Sequence, residues 1–344
     1  MGCGYGSPCG LSARVVAYSV PGTAGEARLA SYHSVLMSAR QTIRWGVGAL
    51  AGLLACLTLV GWLGGVWWVF DIVSNFRVQY LVLLVPITIA AALLHQRAAT
   101  VVSLLALIAN VAVIVPLYIS KPVPPLGPDR LSVLSFNVFY DNDQLDSVLE
   151  EVRSSGADVV FLHEGTWALE RAIEGAHLPY RMISARRPGD EFGTIALVPG
   201  ETAARIVDFQ VPGIVVTMPL GDGNVEVLGI HPLSPISAER AAERDAELRA
   251  AADWAAAQPL PVVVTGDFNA STWSHGFSLI SGALVNSQLG FGVQASWPAG
   301  HRAVAVPIDH LLYSPELTVV DRYLGSSSGS DHFPLYVTLA WASK

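Results

Sequence analysis

The sequence predicts a chain in two parts, three membrane-spanning helices followed by a soluble domain of the α/β (α+β) class. Three observations carry this. Three long stretches before Lys121 carry no charge. After Asp129 the composition is that of an ordinary charged, water-facing domain. Within that second part, short β-branched apolar runs alternate with helical patterns, and polar residues stand at the ends of the runs.

The first uncharged run is Trp45 to Phe70, 26 residues between Arg44 and Asp71. A helix needs about 20 apolar residues to cross the hydrocarbon core. Val78 to Leu94 (17 residues) and Ala98 to Ser120 (23 residues) follow. Trp62, Trp67 and Trp68 suit an interfacial aromatic belt at the end of the first run. Arg14, Arg28, Arg40 and Arg44 precede the spans and place the N-terminus in the cytoplasm, so three crossings put the second part outside. Lys121 opposes this weakly. The expected division is a disordered cytoplasmic segment over 1–44, with no helical period in 1–36, an anchor over 45–120, a Pro-rich linker over 121–129 and the soluble domain over 130–344. Met37 offers an alternative start. The opening Met-Gly-Cys-Gly-Tyr-Gly lacks the Ser or Thr of an acylation signal at position 6, and no cleavable signal precedes the spans.

From Arg130 to Lys344 the chain holds 13 basic against 25 acidic side chains, whereas 1–129 holds 7 against 3. An acidic domain is a poor prior for a dedicated nucleic-acid binder, because phosphate backbones reward Lys and Arg. Cys3, Cys9 and Cys56 all precede this domain, which excludes thiolate metal sites and cysteine nucleophiles from it.

Taken in order, Leu131–Val138 is an expected strand ending in Asn137, Leu145–Ser154 a helix, and Asp158–Leu162 a strand with Glu164 just beyond it. Gly193–Val198, Ile214–Met218 and Val225–Ile230 are further strands, the last leading to His231. Ser237 caps a helix through Ala257, with Asp245 and Arg249 spaced to pair. Pro261–Thr265 leads into Gly266-Asp267-Phe268-Asn269. Asp309 opens the strand Ile308–Tyr313, and Ser330-Asp331-His332 precedes Leu335–Leu339. Carboxylates, Asn and His at strand ends are presented by loops over a rigid sheet. Neither a Gly-rich nucleotide loop nor a nucleophile elbow is present, which leaves kinases, dehydrogenases and serine hydrolases unsupported.

LSFNV, FLHEG, GIHPLSP, VVVTGDFN, PIDHLLY and GSDHFPL follow one another in the order and rough spacing of the endonuclease/exonuclease/phosphatase superfamily, which residues 130–344 resemble. The resemblance implies a four-layer α/β sandwich and metal-dependent hydrolysis of phosphoric esters. Three spans before such a domain also resemble extracytoplasmic bacterial members linked to teicoplanin resistance. Mg²⁺ or Mn²⁺ is the expected cofactor, since hard cations need only one or two carboxylates. Glu164 is the expected first ligand, with Asn137 beside it and Asp331 as a second carboxylate. His332 is expected to activate water or stabilise phosphoryl charge, with Asp309 resembling the buried carboxylate that orients it. Asp267 and Asn269 resemble the pair that positions the water and contacts the phosphate, and His231 the histidine facing them, with Glu191 a candidate to orient it. FLHEG departs from the family in having His163 where many members have Gln. His163, His275, His301 and His310 are expected to be structural or surface residues, while Arg186 and Arg187 are candidates to meet an anion or a solvated face. The expected partners are the bilayer and a phosphorylated substrate, with lipid-linked phosphates among the candidates. An extracytoplasmic nuclease and a non-catalytic tethered binding protein are the alternatives.

Overall fold

The structure, a computed structural model, describes Met1 and residues 24–119 and 128–342. Most of the expected linker therefore lies outside the described residues, as does the expected disorder over 2–23. From Ala24 onward the chain is helical, so the disorder expected over 1–44 does not hold for residues 24–44.

The first helix, α1 (Ala24–Val60), continues into a 3-10 turn (Gly61–Leu63) and stops. The run from Trp45 to Phe70 is thus not one straight span. Its last residues turn at Gly64-Gly65 and open a short helix, α2 (Trp68–Ser74). The glycines are required here: a Cβ on Gly64 would stand 2.9 Å from Asp71 Oδ1, and one on Gly65 3.0 Å from the His275 ring. Two longer helices follow, α3 (Arg77–Leu93) and α4 (Arg97–Ile114). Val35–Leu63 and Arg97–Tyr118 are long and apolar enough to cross a membrane. α2 and α3 qualify only together, and they meet at an angle of 63°. Leu54, Tyr80, Leu84 and Ala106 form the shared apolar core of this helical part.

The second part is built on two six-stranded mixed sheets. The first contains β1 (Leu131–Asn137), β2 (Val159–Thr166), β3 (Arg181–Ala185), β4 (Phe192–Val198), β11 (Leu317–Leu324) and β12 (Leu335–Trp341), in the order β11-β12-β1-β2-β4-β3. The second contains β5 (Ala204–Val207), β6 (Gly213–Leu220), β7 (Gly223–Gly229), β8 (Val262–Asp267), β9 (Val285–Asn286) and β10 (Asp309–Tyr313), in the order β5-β6-β7-β8-β10-β9. Each sheet has a parallel pair at its centre, β1 with β2 and β7 with β8. Val133, Phe161 and Val198 of the first sheet pack face to face with Val216, Val227 and Leu311 of the second. Helices α5 (Leu145–Ser155) and α6 (Trp167–Gly175) cover the outer face of the first sheet through Val148, Val152 and Leu169. Helices α7 (Ala238–Ala257) and α8 (His275–Ile280) cover the second through Leu248, Phe277 and Ile280. The layers run helix, sheet, sheet, helix, as the sequence predicts.

Ser237 caps α7, its hydroxyl accepting from Arg240 N–H at 3.2 Å. Asp245, however, pairs with its neighbour Arg244 at 2.7 Å rather than with Arg249. The reason lies outside α7. Arg244 is buried, and it also bonds Asp71 of α2 at 2.6 Å. Asp71 in turn accepts from the backbone N–H of His275 at 2.6 Å. Asn75 accepts from Ser271 N–H and its hydroxyl (3.0 and 2.7 Å), and Gln79 donates to the Ala305 carbonyl (2.9 Å). The Leu117 carbonyl accepts from Gly290 and Gly292 N–H. The helical part and the sandwich are therefore joined by a buried polar interface.

Candidate active site

The site forms where the central strands of both sheets end. β1 delivers Asn137, and β2 delivers Glu164 through a break in register between Leu162 and Gly165. A bulge of this kind re-aims a side chain that regular pleating would place on the other face. Glu164 accordingly has φ +59, and Asn269 has φ +51, backbone conformations that non-glycine residues hold only where their surroundings enforce them. β7 leads to His231, and β8 ends in Asp267, which lies directly opposite Asp309 in the antiparallel β8–β10 register. Gly266 makes possible the close approach of β8 to the chain that follows β7. Its φ is +149, and a Cβ there would lie 1.8 Å from the Ile230 carbonyl oxygen.

Asp267 is the hub. Its Oδ2 accepts from Asn137 Nδ2 at 3.1 Å and lies 3.6 Å from both His332 Nε2 and His231 Nε2. Its Oδ1 accepts from Asn269 N–H at 2.8 Å. Burial disfavours the charge on Asp267, but His332, His231 and the Asn269 amide outweigh it and hold its pKa below the ordinary value. Asn137 Nδ2 also donates to Glu164 Oε1 at 3.1 Å, so one amide ties the two carboxylates together. The Asn137 oxygen accepts from Phe139 N–H, and it would reach a cation between the carboxylates only after the amide turns over. His231 lies 3.6 Å from Glu164, beyond hydrogen-bond range. Burial opposes protonation of its ring, yet Asp267 and Glu164 raise its pKa. Glu191, a candidate to orient His231, is exposed, and its backbone carbonyl accepts from Arg186.

His332 and Asp309 are both buried, with Nδ1 and Oδ2 2.8 Å apart. Burial works against a charged ring, but Asp309 and Asp267 outweigh it and lift the His332 pKa to about 10. Burial pushes Asp309 upward as well, so the pair holds one proton between two strongly interacting groups. Asp331 stands apart from Glu164, accepting from Trp297 Nε1 at 2.8 Å and lying 4.0 Å from His332. Its Oδ1 has no hydrogen-bond partner among the described residues.

His163 and His310 are buried and held by local bonds, His163 between Ser135 and Thr194 hydroxyls, His310 to the Ala270 carbonyl. Burial lowers both to about 3, so both are neutral. Arg186 and Arg187 border the adjoining cleft but are engaged, by Glu170 and by Glu243. Sequence reading missed Arg244, whose Nη1 donates to the Asn269 carbonyl at 3.2 Å and holds the Asp267–Asn269 loop to α7. Its only sequence signal was an arginine on a face of α7 that should be apolar.

Among the described residues, Asp267, Asp309 and His332 bring ligand atoms within 4.8 Å of one another. The Asp309–His332 contact is already used as a hydrogen bond, whereas Glu164 and Asp267 offer carboxylate oxygens around a shared amide. An all-oxygen donor set of this kind fits a hard divalent cation.

The chain belongs to the Endonuclease/Exonuclease/phosphatase family, whose model matches residues 134–332. It is a metal-dependent phosphoric ester hydrolase. Solved structures with this fold include a humanized D. rerio TDP2 carrying 14 mutations, at 17% identity, TM-score 0.53, covering 61% of this chain and 98% of that one. Truncated Caenorhabditis elegans TDP2 gives 19% identity and TM-score 0.53, covering 61% and 97%. D. rerio TDP2 complexed with single strand DNA product gives 18% identity and TM-score 0.52, covering 61% and 98%. No curated protein gives a significant match.

Proposed function

We propose that the chain is a membrane-anchored phosphoesterase that hydrolyses a phosphate ester or pyrophosphate of a lipid-linked substrate on the extracytoplasmic side, with Mg²⁺ or Mn²⁺ as cofactor. The observation that carries the reading is one arrangement: a buried Asp309–His332 pair beside the Glu164–Asn137–Asp267 cluster, in a cleft that the helical part helps to line. Glu164 and Asp267 would hold the cation, with Asn137 on the amide side and Asp331 near His332. The cation supplies neutralisation of the nonbridging phosphate oxygens. Asp267, kept ionised, accepts a proton from the attacking water, which Asn269 helps to place. Asp309 fixes the ring of His332 so that Nε2 faces the reacting phosphate and stabilises its charge. His231, just beyond the end of β7, faces Asp267 and contacts the same phosphate.

Multi-pass insertion is supported by the two apolar helices and the bent α2–α3 pair. The second reading is a nuclease, favoured by the fold shared with a TDP2 that is complexed with single strand DNA product. The acidic domain and its engaged arginines speak for the lipid reading.

The test is phosphate release by purified full-length protein from lipid pyrophosphates, sphingomyelin and DNA. Lipid phosphate turnover with Mg²⁺ or Mn²⁺, abolished by chelator and restored by either ion, is the expected result. Full activity in excess chelator would overturn the mechanism, and turnover of DNA alone would establish the second reading.

A further inference from the structure

The cleft above His332 has a volume of about 320 Å³ and two unlike halves. One half is polar, with Glu164, Asp267, Asn269, Asp331 and His332. The other is apolar, and part of it does not belong to the sandwich at all: Ile72, Asn75 and Phe76 come from the elbow where α2 meets α3. Ile236, 72% exposed, extends the apolar half from the sandwich side. Among the described residues, no Lys or Arg lines this cleft.

The elbow is held in place rather than resting there. Asp71 pairs with buried Arg244 on one side of Ile72, and Asn75 accepts two bonds from Ser271 beside Phe76. Phe76 also packs against the core of the helical part. In sequence the elbow lies between Val35–Leu63, apolar enough to cross a membrane, and α3, and the turn leading into it exposes Trp62, Val66 and Trp67. An apolar wall continuous with the anchor, facing a cluster suited to phosphate and a cation, matches an amphiphile. A polynucleotide would need cations along its backbone, and this wall offers none.

We propose that the α2–α3 elbow is part of the substrate site, with Ile72 and Phe76 forming the wall that receives the hydrocarbon chain next to the phosphate head of a lipid-linked substrate. The proposal rests on the lipid phosphoesterase reading above. It makes the anchor a determinant of specificity as well as a tether, and it assigns recognition of the hydrocarbon nearest the phosphate to these two residues.

The test compares methyl diphosphate with a long-chain polyprenyl diphosphate, identical in head group, on full-length protein in nanodiscs, with single-stranded DNA as a third substrate. Wild type should turn over the polyprenyl diphosphate with the higher kcat/KM. Ile72→Ala with Phe76→Ala should cut that preference roughly tenfold to hundredfold, chiefly through KM, as expected for lost apolar burial. Leu83→Ala, on an exposed face of α3 away from the cleft, should keep it. Because Phe76 also supports packing, a second measurement uses wild type: a polyprenyl diphosphate with a photoreactive group in its first isoprene unit should label the peptide containing Ile72 and Phe76. Turnover of both diphosphates with an unchanged preference in the double variant, or labelling confined to other peptides, would overturn the tail site alone. Cleavage of DNA with no turnover of either diphosphate would overturn the lipid reading and this assignment together.

Discussion

At the scale of single residues, the site depends on groups whose states are set by one another. Asp309 holds Nδ1 of His332 at 2.8 Å, and both are buried. Groups that act as one unit lose function non-additively. His332→Ala should lower kcat by roughly 10³-fold or more, and Asp309→Asn should be nearly as severe, because an amide holds the ring without stabilising its positive charge. The double variant should be little worse than His332→Ala, measured as kcat per folded molecule; independent, multiplicative losses would mean that the pair does not act as proposed. Gly266 makes a different kind of demand. With a φ of +149 and the Ile230 carbonyl 1.8 Å from any added Cβ, Gly266→Ala must push β7 and β8 apart at the point where they deliver His231 and Asp267. The expected result is a fall in thermal stability together with loss of activity, read by calorimetry and turnover; a variant that melts and works like wild type would show that the β7–β8 spacing is not fixed there.

At the scale of elements, the sequence was legible wherever a strand was apolar along its whole length. β1, β2, β7 and β8 are buried runs ending in polar residues, and their ends carry Asn137, Glu164, His231 and Asp267, so the reading of strands and the reading of the site were one inference. β11 was missed because it is an edge strand bearing Asp321 and Arg322, and β5 because half of it faces water. The elbow at α2 was hidden in an uncharged run, since hydropathy records no direction; the glycines at 61, 64 and 65 were its only mark. Asp71 read as a loop charge because its partner Arg244 lies 173 residues away. Helix α7 also carries Glu247, buried with one oxygen unpartnered and the other accepting from Val211 N–H at 3.1 Å. Burial pushes its carboxyl up to about 8. A carboxyl raised in the folded state binds its proton more tightly there than in the unfolded chain, so it contributes stability below the ordinary carboxylate range, lost as pH rises toward and through about 8. Glu247→Gln, which mimics the protonated form, should flatten that dependence and raise Tm at pH 9 by several degrees, on the order of 2–4 °C per kcal/mol recovered. An unchanged pH profile of Tm would show that Glu247 is charged in the fold.

At the scale of the whole molecule, the helical part and the sandwich fix each other's orientation, and this turns a charge count into a geometric argument. The end of the first apolar helix near Leu63, the start of α3 at Arg77 and the end of α4 near Tyr118 all lie toward the sandwich: Asp71, Asn75 and Gln79 bond to it directly, and Leu117 accepts from Gly290 and Gly292. The opposite ends also meet, since Gln96 donates to the Arg44 carbonyl at 3.1 Å. Arg44 and Arg97 thus share one end of the helical part, with Arg40 a turn further along α1. Positive residues close to span ends mark the cytoplasmic side, and Arg40, Arg44 and Arg97 at the far end outnumber Arg77 at the near one, which supports the proposed extracytoplasmic side for the sandwich. A reporter active only outside the cytoplasm should be active when fused after Lys344 and silent when placed between His95 and Arg97. The same contacts make a stronger demand. If Asp71–Arg244 joins the two parts, Asp71→Ala leaves the buried guanidinium with Asp245 as its remaining carboxylate, a change that costs less than the ~3–5 kcal/mol of a fully uncompensated buried charge. The variant should keep its topology but lose stability and activity together, whereas a passive tether would tolerate it. The reversed reporter pattern would place the cleft in the cytoplasm and remove the extracytoplasmic substrate, and a stable, fully active Asp71→Ala protein would show that the sandwich is oriented by the linker alone.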